Sequence, residues 1–308
     1  MTRTPPEAAP TDELAFEFHA MGTPCRIAVE GTPAQLAGRA AQAAIAEVRR
    51  IEAKYSRYRA DSVLSRINAA AGSAQPVAVD DETADLLDFA ARLHALSDGL
   101  FDPSTGVLRA VWDFRAARVP APAAVRAVLG RVGWHRVDWR RPQLRLPVAG
   151  MELDFGGFAK EYAADRAAAL LGDAGVGAAL VNLGGDIRVT GRRPQGAAWL
   201  LGIADPRRAD AVFASIAVHA GALATSGDYE RFFEHAGRRY CHILDPRSGW
   251  PAQGWRSVSV SAPACLAAGA ISTIAMLKGA DALAFLREQA VDFLAVDAAG
   301  RLYHEGMG

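Results

Sequence analysis

Between residues 14 and 31 apolar and polar positions alternate, and the alternation turns back near Gly22, which predicts a pair of strands. The period then changes. From Pro33 to Ser56 the chain is alanine-rich with apolar residues three and four apart, so a helix is expected, with Pro33 suited to its first turn. A second helix is predicted from Asp81 to Ser97, opened by acidic residues that favour a helix N-terminus. Strand-like runs fill Trp134 to Leu153, and a third helix follows from Phe158 to about Leu171. Short strands dominate Ala178 to Val260, with turns at Gly184-Gly185, Pro194-Gln195-Gly196 and Asp205-Pro206. Helices over Ala264–Lys278 and Asp281–Gln289 precede the last strands. Runs of strands broken by a few helices predict an α+β fold rather than a doubly wound parallel sheet. With no low-complexity linker and no short repeat, residues 14–308 read as a single domain behind a polar, proline-rich and disordered tail over residues 1–13.

Composition narrows the function classes. The 308 residues are 51% hydrophobic and 22% charged, with 34 basic and 34 acidic groups, enough for a large core. A formal charge of zero argues against nucleic-acid partners and membrane surfaces, which call for a basic excess. The three cysteines Cys25, Cys241 and Cys265 form no Cys-x-x-Cys pair, so neither a disulfide framework nor a zinc site is expected. With no signal peptide and no membrane span in the pattern, a reducing, cytoplasmic setting is the expectation.

Several glycine-punctuated polar segments carry candidate chemistry. Arg239-Tyr240-Cys241-His242-Ile243-Leu244-Asp245-Pro246 ends an apolar strand pattern on a histidine, followed by an Asp-Pro pair and the turn at Gly249. Taken alone this is a hairpin with a surface histidine; strand-to-loop boundaries are also where catalytic groups sit. Cys241 beside it points to the opposite face of the strand and reads as core. Asp154-Phe155-Gly156-Gly157-Phe158-Ala159-Lys160 sets two glycines before a helix. That is either a plain turn or a phosphate cradle of free amides, helix dipole and Lys160. Leu183-Gly184-Gly185-Asp186 offers the same choice between a bulge or turn and a close approach to ligand. Tyr58, in the polar run from Tyr55 to Ser62, is either part of a solvated helix end or a cover for a flat aromatic ligand.

Taken in order, these segments resemble one family, the FAD:protein FMN transferases or ApbE family. The resemblance runs from Met21-Gly22-Thr23 through Tyr58 to Asn68, Gly99-Leu100-Phe101-Asp102-Pro103-Ser104, Asp154 to Asp165, Asn182 to Asp186, Thr225 to Tyr229 and His242 to Gly249, ending near residue 273. It implies antiparallel sheets flanked by helices in two interwoven lobes. It also implies a reaction in which the FMN half of FAD moves onto a Thr or Ser hydroxyl of an acceptor flavoprotein with release of AMP. On that resemblance Met21, Tyr58, Leu100, Phe101, Asp154, Lys160 and Ile243 contact FAD, His242 is the base for the acceptor hydroxyl, and Gly157 and Thr273 supply oxygens to Mg²⁺. Related readings within the resemblance are hydrolysis of FAD to FMN and AMP, and a flavin-binding carrier or accessory protein with little transfer activity. An unrelated soluble α+β enzyme is the remaining alternative.

The chain departs from the family pattern at two positions. Where the late helix usually reads Ala-Asp-Ala-x-x-Thr, this chain has Ala268-Gly269-Ala270-Ile271-Ser272-Thr273, so the anionic metal ligand is missing while Thr273 stays on the same helical face. The expectation is a weakened Mg²⁺ site that Gly269→Asp would strengthen. Asp281 lies in the next helix, with no threonine at the right spacing, and does not substitute. Glu161 stands where the family usually has glycine; a charge there is expected on a solvated helix face, the alternative being a carboxylate that reaches a cation and supplies the missing charge.

Overall fold

The computed structural model describes residues 13–307. The tail expected over residues 1–13 lies outside them apart from Glu13, which pairs with Arg26. Strands β1 (Leu14–Ala20) and β2 (Thr23–Glu30) form the expected hairpin. Its turn places Met21 at φ 53° and Gly22 at φ 74°, the doubly left-handed turn that suits the twist of a two-residue hairpin. Methionine resists that region, and the Met21 amide is held there by a 2.6 Å hydrogen bond to Glu52 Oε1. Helix α1 (Ala34–Tyr55) follows, with Pro33 just before its first residue. Next come α2 (Val63–Ala69), β3 (Val77–Ala78), α3 (Asp81–Leu96) and α4 (Pro122–Leu129). The strand-like run before residue 153 yields only β4 (Asp138–Arg140) and β5 (Gln143–Arg145), which with β3 make a small antiparallel sheet.

Helix α5 (Ala159–Asp173) leads into β6 (Ala178–Leu183), β7 (Asp186–Val189), β8 (Trp199–Asp205), β9 (Arg208–Val218) and β10 (Gly221–Gly227). The chain continues through β11 (Phe232–His235), β12 (Arg238–Cys241), β13 (Trp255–Ala262), α6 (Cys265–Lys278), α7 (Ala282–Glu288), β14 (Asp292–Asp297) and β15 (Leu302–Glu305). Eight strands build the central sheet in the order β1-β2-β6-β7-β10-β13-β14-β15, every neighbouring pair antiparallel. The α+β expectation with antiparallel sheets flanked by helices is what the structure shows.

Both faces of that sheet are covered, which is why β2 and β13 are buried along most of their length. Helices α1, α5 and α6 lie on one face. The buried stripe of α1 is Ala37, Ala40, Ala41 and Ala44, and α5 answers with Ala163, Ala164, Ala167 and Ala168, so small side chains let the two helices approach closely. The β8–β9 hairpin covers the other face through Trp199, Leu201 and Ile203 over Ile187, Val189 and Leu223. A third, smaller cluster joins Trp112, Val128, Phe233 and Tyr240 beside α4, β11 and β12. The stretch Cys265–Glu288 is long and apolar enough to cross a membrane by composition. In the fold it is two helices broken at Gly279, whose φ is 56°, with α6 packed on β10 and β13.

Candidate active site

The start of α5 gathers most of the motif residues. Asp154 is fixed from three sides. Its amide donates to the Pro103 carbonyl at 2.8 Å, its carboxylate accepts the Gly156 amide at 2.9 Å, and Arg57 pairs with it. Asn68 braces the preceding residue by a reciprocal pair, donating to the Leu153 carbonyl at 2.9 Å and accepting the Leu153 amide at 2.8 Å. The same Arg57 donates to the Tyr58 hydroxyl at 3.1 Å and lies over its ring, leaving Tyr58 73% exposed, an open aromatic face beside the loop. The carbonyl of Gly157 accepts no backbone hydrogen bond among the described residues. Lys160, in the first turn, pairs with the buried Asp186 immediately after the Gly184-Gly185 turn. Gly184 has to be glycine: its φ is 61°, and a Cβ there would lie 2.4 Å from Thr23 Oγ1.

His242 follows directly on β12. Its amide donates to the Arg231 carbonyl at 3.0 Å, and Arg231 in turn reaches to 4.0 Å of where a Cβ on Gly22 would sit. Crowding by neighbouring protein lowers its pKa first, and the positive charges of Arg231 and Lys160 lower it further, to about 4. Solvent still reaches the imidazole, so the two cations are the firmer part of that cause. His242 is therefore a neutral imidazole at pH 7, able to accept a proton, with a pKa well below the neutral range the sequence suggests for it. Cys241 is buried, as expected of a core residue, and burial pushes its thiol up to about 11.

The remaining expected FAD contacts are less exposed. Leu100, Phe101 and Ile243 are buried. The Phe101 ring packs on Phe158 with centroids 6.2 Å apart and lies under Gly157, where an added Cβ would meet Phe101 Cζ at 3.1 Å. The adjoining Asp102-Pro103-Ser104 is a brace: buried Asp102 accepts the Ser104 amide and the Trp134 amide, each at 2.8 Å. Met21 is half-buried at its strained turn. Asp186, Arg57 and Arg231 carry no sequence signal of their own, although all three lie within or next to the motif segments.

Helix α6 faces α5 through Cys265 and Gly269, and Thr273 continues the same stripe. Thr273 exchanges a 2.9 Å hydrogen bond with Ser226 of β10, which also meets Ser272 at 2.8 Å. Glu161 overturns the expectation of a solvated helix-face charge. It is 7% exposed and its Oε2 is enclosed without a hydrogen-bond partner among the described residues. Its side chain occupies the space beside Gly269, where a Cβ would lie 2.5 Å from Glu161 Cγ and 2.8 Å from Oε1. Gly269→Asp thus meets an occupied site, so the simple gain expected of it does not follow. One turn along α5, Asp165 is satisfied: its two oxygens accept the Cys265 and Leu266 amides at 2.9 Å each, capping α6, and Arg188 pairs with it at 3.1 Å.

Hard oxygen donors are therefore the chemistry on offer: an unpartnered carboxylate, a threonine hydroxyl and a free carbonyl. That set suits Mg²⁺, which takes one or two carboxylates and completes its shell with water and substrate phosphates. No cluster of three or more His, Cys, Asp or Glu able to hold a metal occurs among the described residues. Two hollows, of about 220 and 360 Å³, lie elsewhere, one along Asp228, Arg239 and Arg256 and the other along Arg26, Asn182 and Trp199. Neither is lined by His242, Lys160 or Asp154.

A profile of the ApbE family matches residues 21–295. This chain belongs to the ApbE family. Among similar proteins, an FAD:protein FMN transferase of Treponema pallidum is 36% identical over 299 residues, covering 90% of this chain and 81% of the relative. One of Klebsiella pneumoniae is 34% identical over 248 residues, 78% of this chain and 75% of the relative. The crystal structure of the ApbE protein of Thermotoga maritima superposes with a TM-score of 0.88 at 32% identity, over 96% of this chain and 97% of that one. The flavin transferase ApbE of Vibrio cholerae gives 0.82 at 26% identity, over 96% and 98%. The ApbE membership makes this chain a flavin transferase that takes FAD as substrate and a flavoprotein as acceptor.

Proposed function

We propose that this ApbE protein moves the FMN half of FAD onto a threonine or serine hydroxyl of its acceptor and releases AMP. The observation that carries the reading is a solvent-reached His242 kept neutral at pH 7, its pKa lowered by burial and by the positive charges of Arg231 and of Lys160, which stands in the first turn of α5. FAD would lie with its rings toward Met21 and Tyr58 and its pyrophosphate at Gly156-Gly157 and Lys160, where helix amides and a lysine meet negative charge. The acceptor oxygen attacks the FMN-side phosphorus while the bond to the AMP phosphate breaks, and His242 Nδ1 or Nε2 takes the hydroxyl proton. Lys160 and Arg231 offset charge on the pyrophosphate oxygens, and the Asp186 contact orients Lys160. Gly157 and Thr273 are the donors proposed for Mg²⁺, which when bound would neutralise pyrophosphate charge. A cytoplasmic location fits the three free, buried cysteines Cys25, Cys241 and Cys265.

The test is AMP release and a gain of one FMN by a threonine-containing acceptor. His242→Ala is expected to lower transfer about 10²- to 10⁴-fold with FAD binding retained. AMP release that is equal with and without acceptor would favour hydrolysis, and tight FAD binding with no AMP would favour the carrier reading. Full transfer by His242→Ala would remove the histidine from the mechanism.

A further inference from the structure

We propose that in this chain the anionic oxygen for the divalent cation comes from Glu161 of α5, not from α6. The inference rests on the flavin-transfer reading only for the substrate phosphates that complete the metal's shell. Two departures from the family pattern, a glycine in α6 and a glutamate in α5, turn out to be one rearrangement. Gly269 has no side chain, and the atoms of Glu161 fill the volume that a side chain on Gly269 would start from. The carboxylate thus reaches the same stripe of α6 that carries Thr273 one turn further on.

Its environment points the same way. A buried carboxylate normally finds hydrogen-bond donors or a cation, because a charge without either is costly. Glu161 Oε2 has neither among the described residues, whereas Asp165 one turn away has two amides and an arginine. Across α6 the buried Cys265 donates its amide to Asp165, and its thiol carries no positive charge to compensate Glu161. Lys160, the adjacent base, is engaged by Asp186. What remains is an enclosed hard oxygen against the α6 stripe that carries Thr273, four residues after Gly157, whose carbonyl accepts no backbone hydrogen bond among the described residues. A divalent cation is the ligand class that satisfies all three.

The experiment follows Mn²⁺ binding by electron paramagnetic resonance in the full chain, with ADP as the pyrophosphate-bearing probe, together with melting temperature with and without Mn²⁺. Glu161→Gln is expected to weaken Mn²⁺ at least about tenfold and to abolish the Mn²⁺-induced rise in melting temperature. Its metal-free melting temperature should be unchanged or higher, since the unpartnered charge is gone. Glu161→Gly with Gly269→Asp, which returns the carboxylate to α6, should bring Mn²⁺ affinity back to within about threefold of native. Native-like Mn²⁺ affinity in Glu161→Gln overturns the proposal. So does a folded double variant that binds Mn²⁺ no better than Glu161→Gln, and so does a native protein that binds no Mn²⁺ with ADP. If Glu161→Gln does not fold, the double variant is judged against native protein, and Mn²⁺ affinity weaker than native by about tenfold or more overturns the proposal. FAD binding by flavin fluorescence in the same samples separates the two readings: its loss in native protein sinks the flavin site, while metal results bear on Glu161 alone.

Discussion

Glu161 and Asp165 sit one turn apart on α5, face the same neighbouring helix, and are treated in opposite ways. Asp165 spends both oxygens on the first two amides of α6 and a third contact on Arg188. Glu161 is the more deeply buried and has an oxygen with nothing to bond. The contrast separates a carboxylate that assembles the fold from one that the fold tolerates. Helix termini are obligatory hydrogen-bonding groups, so Asp165 has a structural reason to exist. Glu161 has none of that kind, which is why it draws a functional explanation.

The largest expected effect probes the satisfied member. Asp165→Ala leaves two amides and an arginine without their acceptor and should cost about 2–3 kcal/mol of unfolding free energy in denaturant titration. A loss no larger than that of an exposed carboxylate would erase the contrast. Next is Gly269→Ala. A Cβ there overlaps Glu161 Cγ, so stability should fall by about 1–3 kcal/mol, and adding Glu161→Gly should return most of it.

A third carboxylate touching α5 sharpens the comparison through pH. Burial raises the pKa of Glu82, but hydrogen bonds from Arg50, Lys54 and the Tyr162 hydroxyl outweigh it and hold the carboxyl at about 2, against 4.5 for an ordinary glutamate. Because the folded value is depressed, its contribution is full above pH 4.5 and is lost as pH falls through about 2. Allowing for residual solvent, Glu82→Gln should remove about 1–2 kcal/mol at pH 7 and flatten the acid limb of stability against pH. The smallest expected effect is on Glu161 itself: in metal-free buffer Glu161→Gln should change stability by less than about 0.5 kcal/mol or raise it. A loss above 1.5 kcal/mol would place Glu161 with Asp165 as a structural group.

Much of this arrangement is legible in the sequence, and the gaps have physical reasons. The long periodic helices, the first hairpin and the closing helices appear where the hydrophobic period places them, because burial on one face fixes the period. The short helices over Val63–Ala69 and Pro122–Leu129 escape the pattern, since each buries only two side chains and so shows no apolar stripe. The run from Trp134 to Leu153 is apolar enough for strands but pairs only through three-residue segments, because burial here comes from loops around Trp134 and Leu146. At the site, His242, Lys160 and Asp154 are visible as motifs, whereas Asp186 as the partner of Lys160 depends on a contact 26 residues away. Glu161 misleads for a simple reason. Its neighbours in sequence are those of a helix surface, and only the missing side chain on another helix makes room for it.

The interlocking of positions 161 and 269 restricts how this protein can vary. Carboxylates at both would contest one volume, and glycines at both would leave the region with neither bulk nor charge. The two positions are therefore coupled, and a side chain added at one is felt at the other. A larger side chain at position 269 is therefore read together with residue 161, whichever of the two is changed.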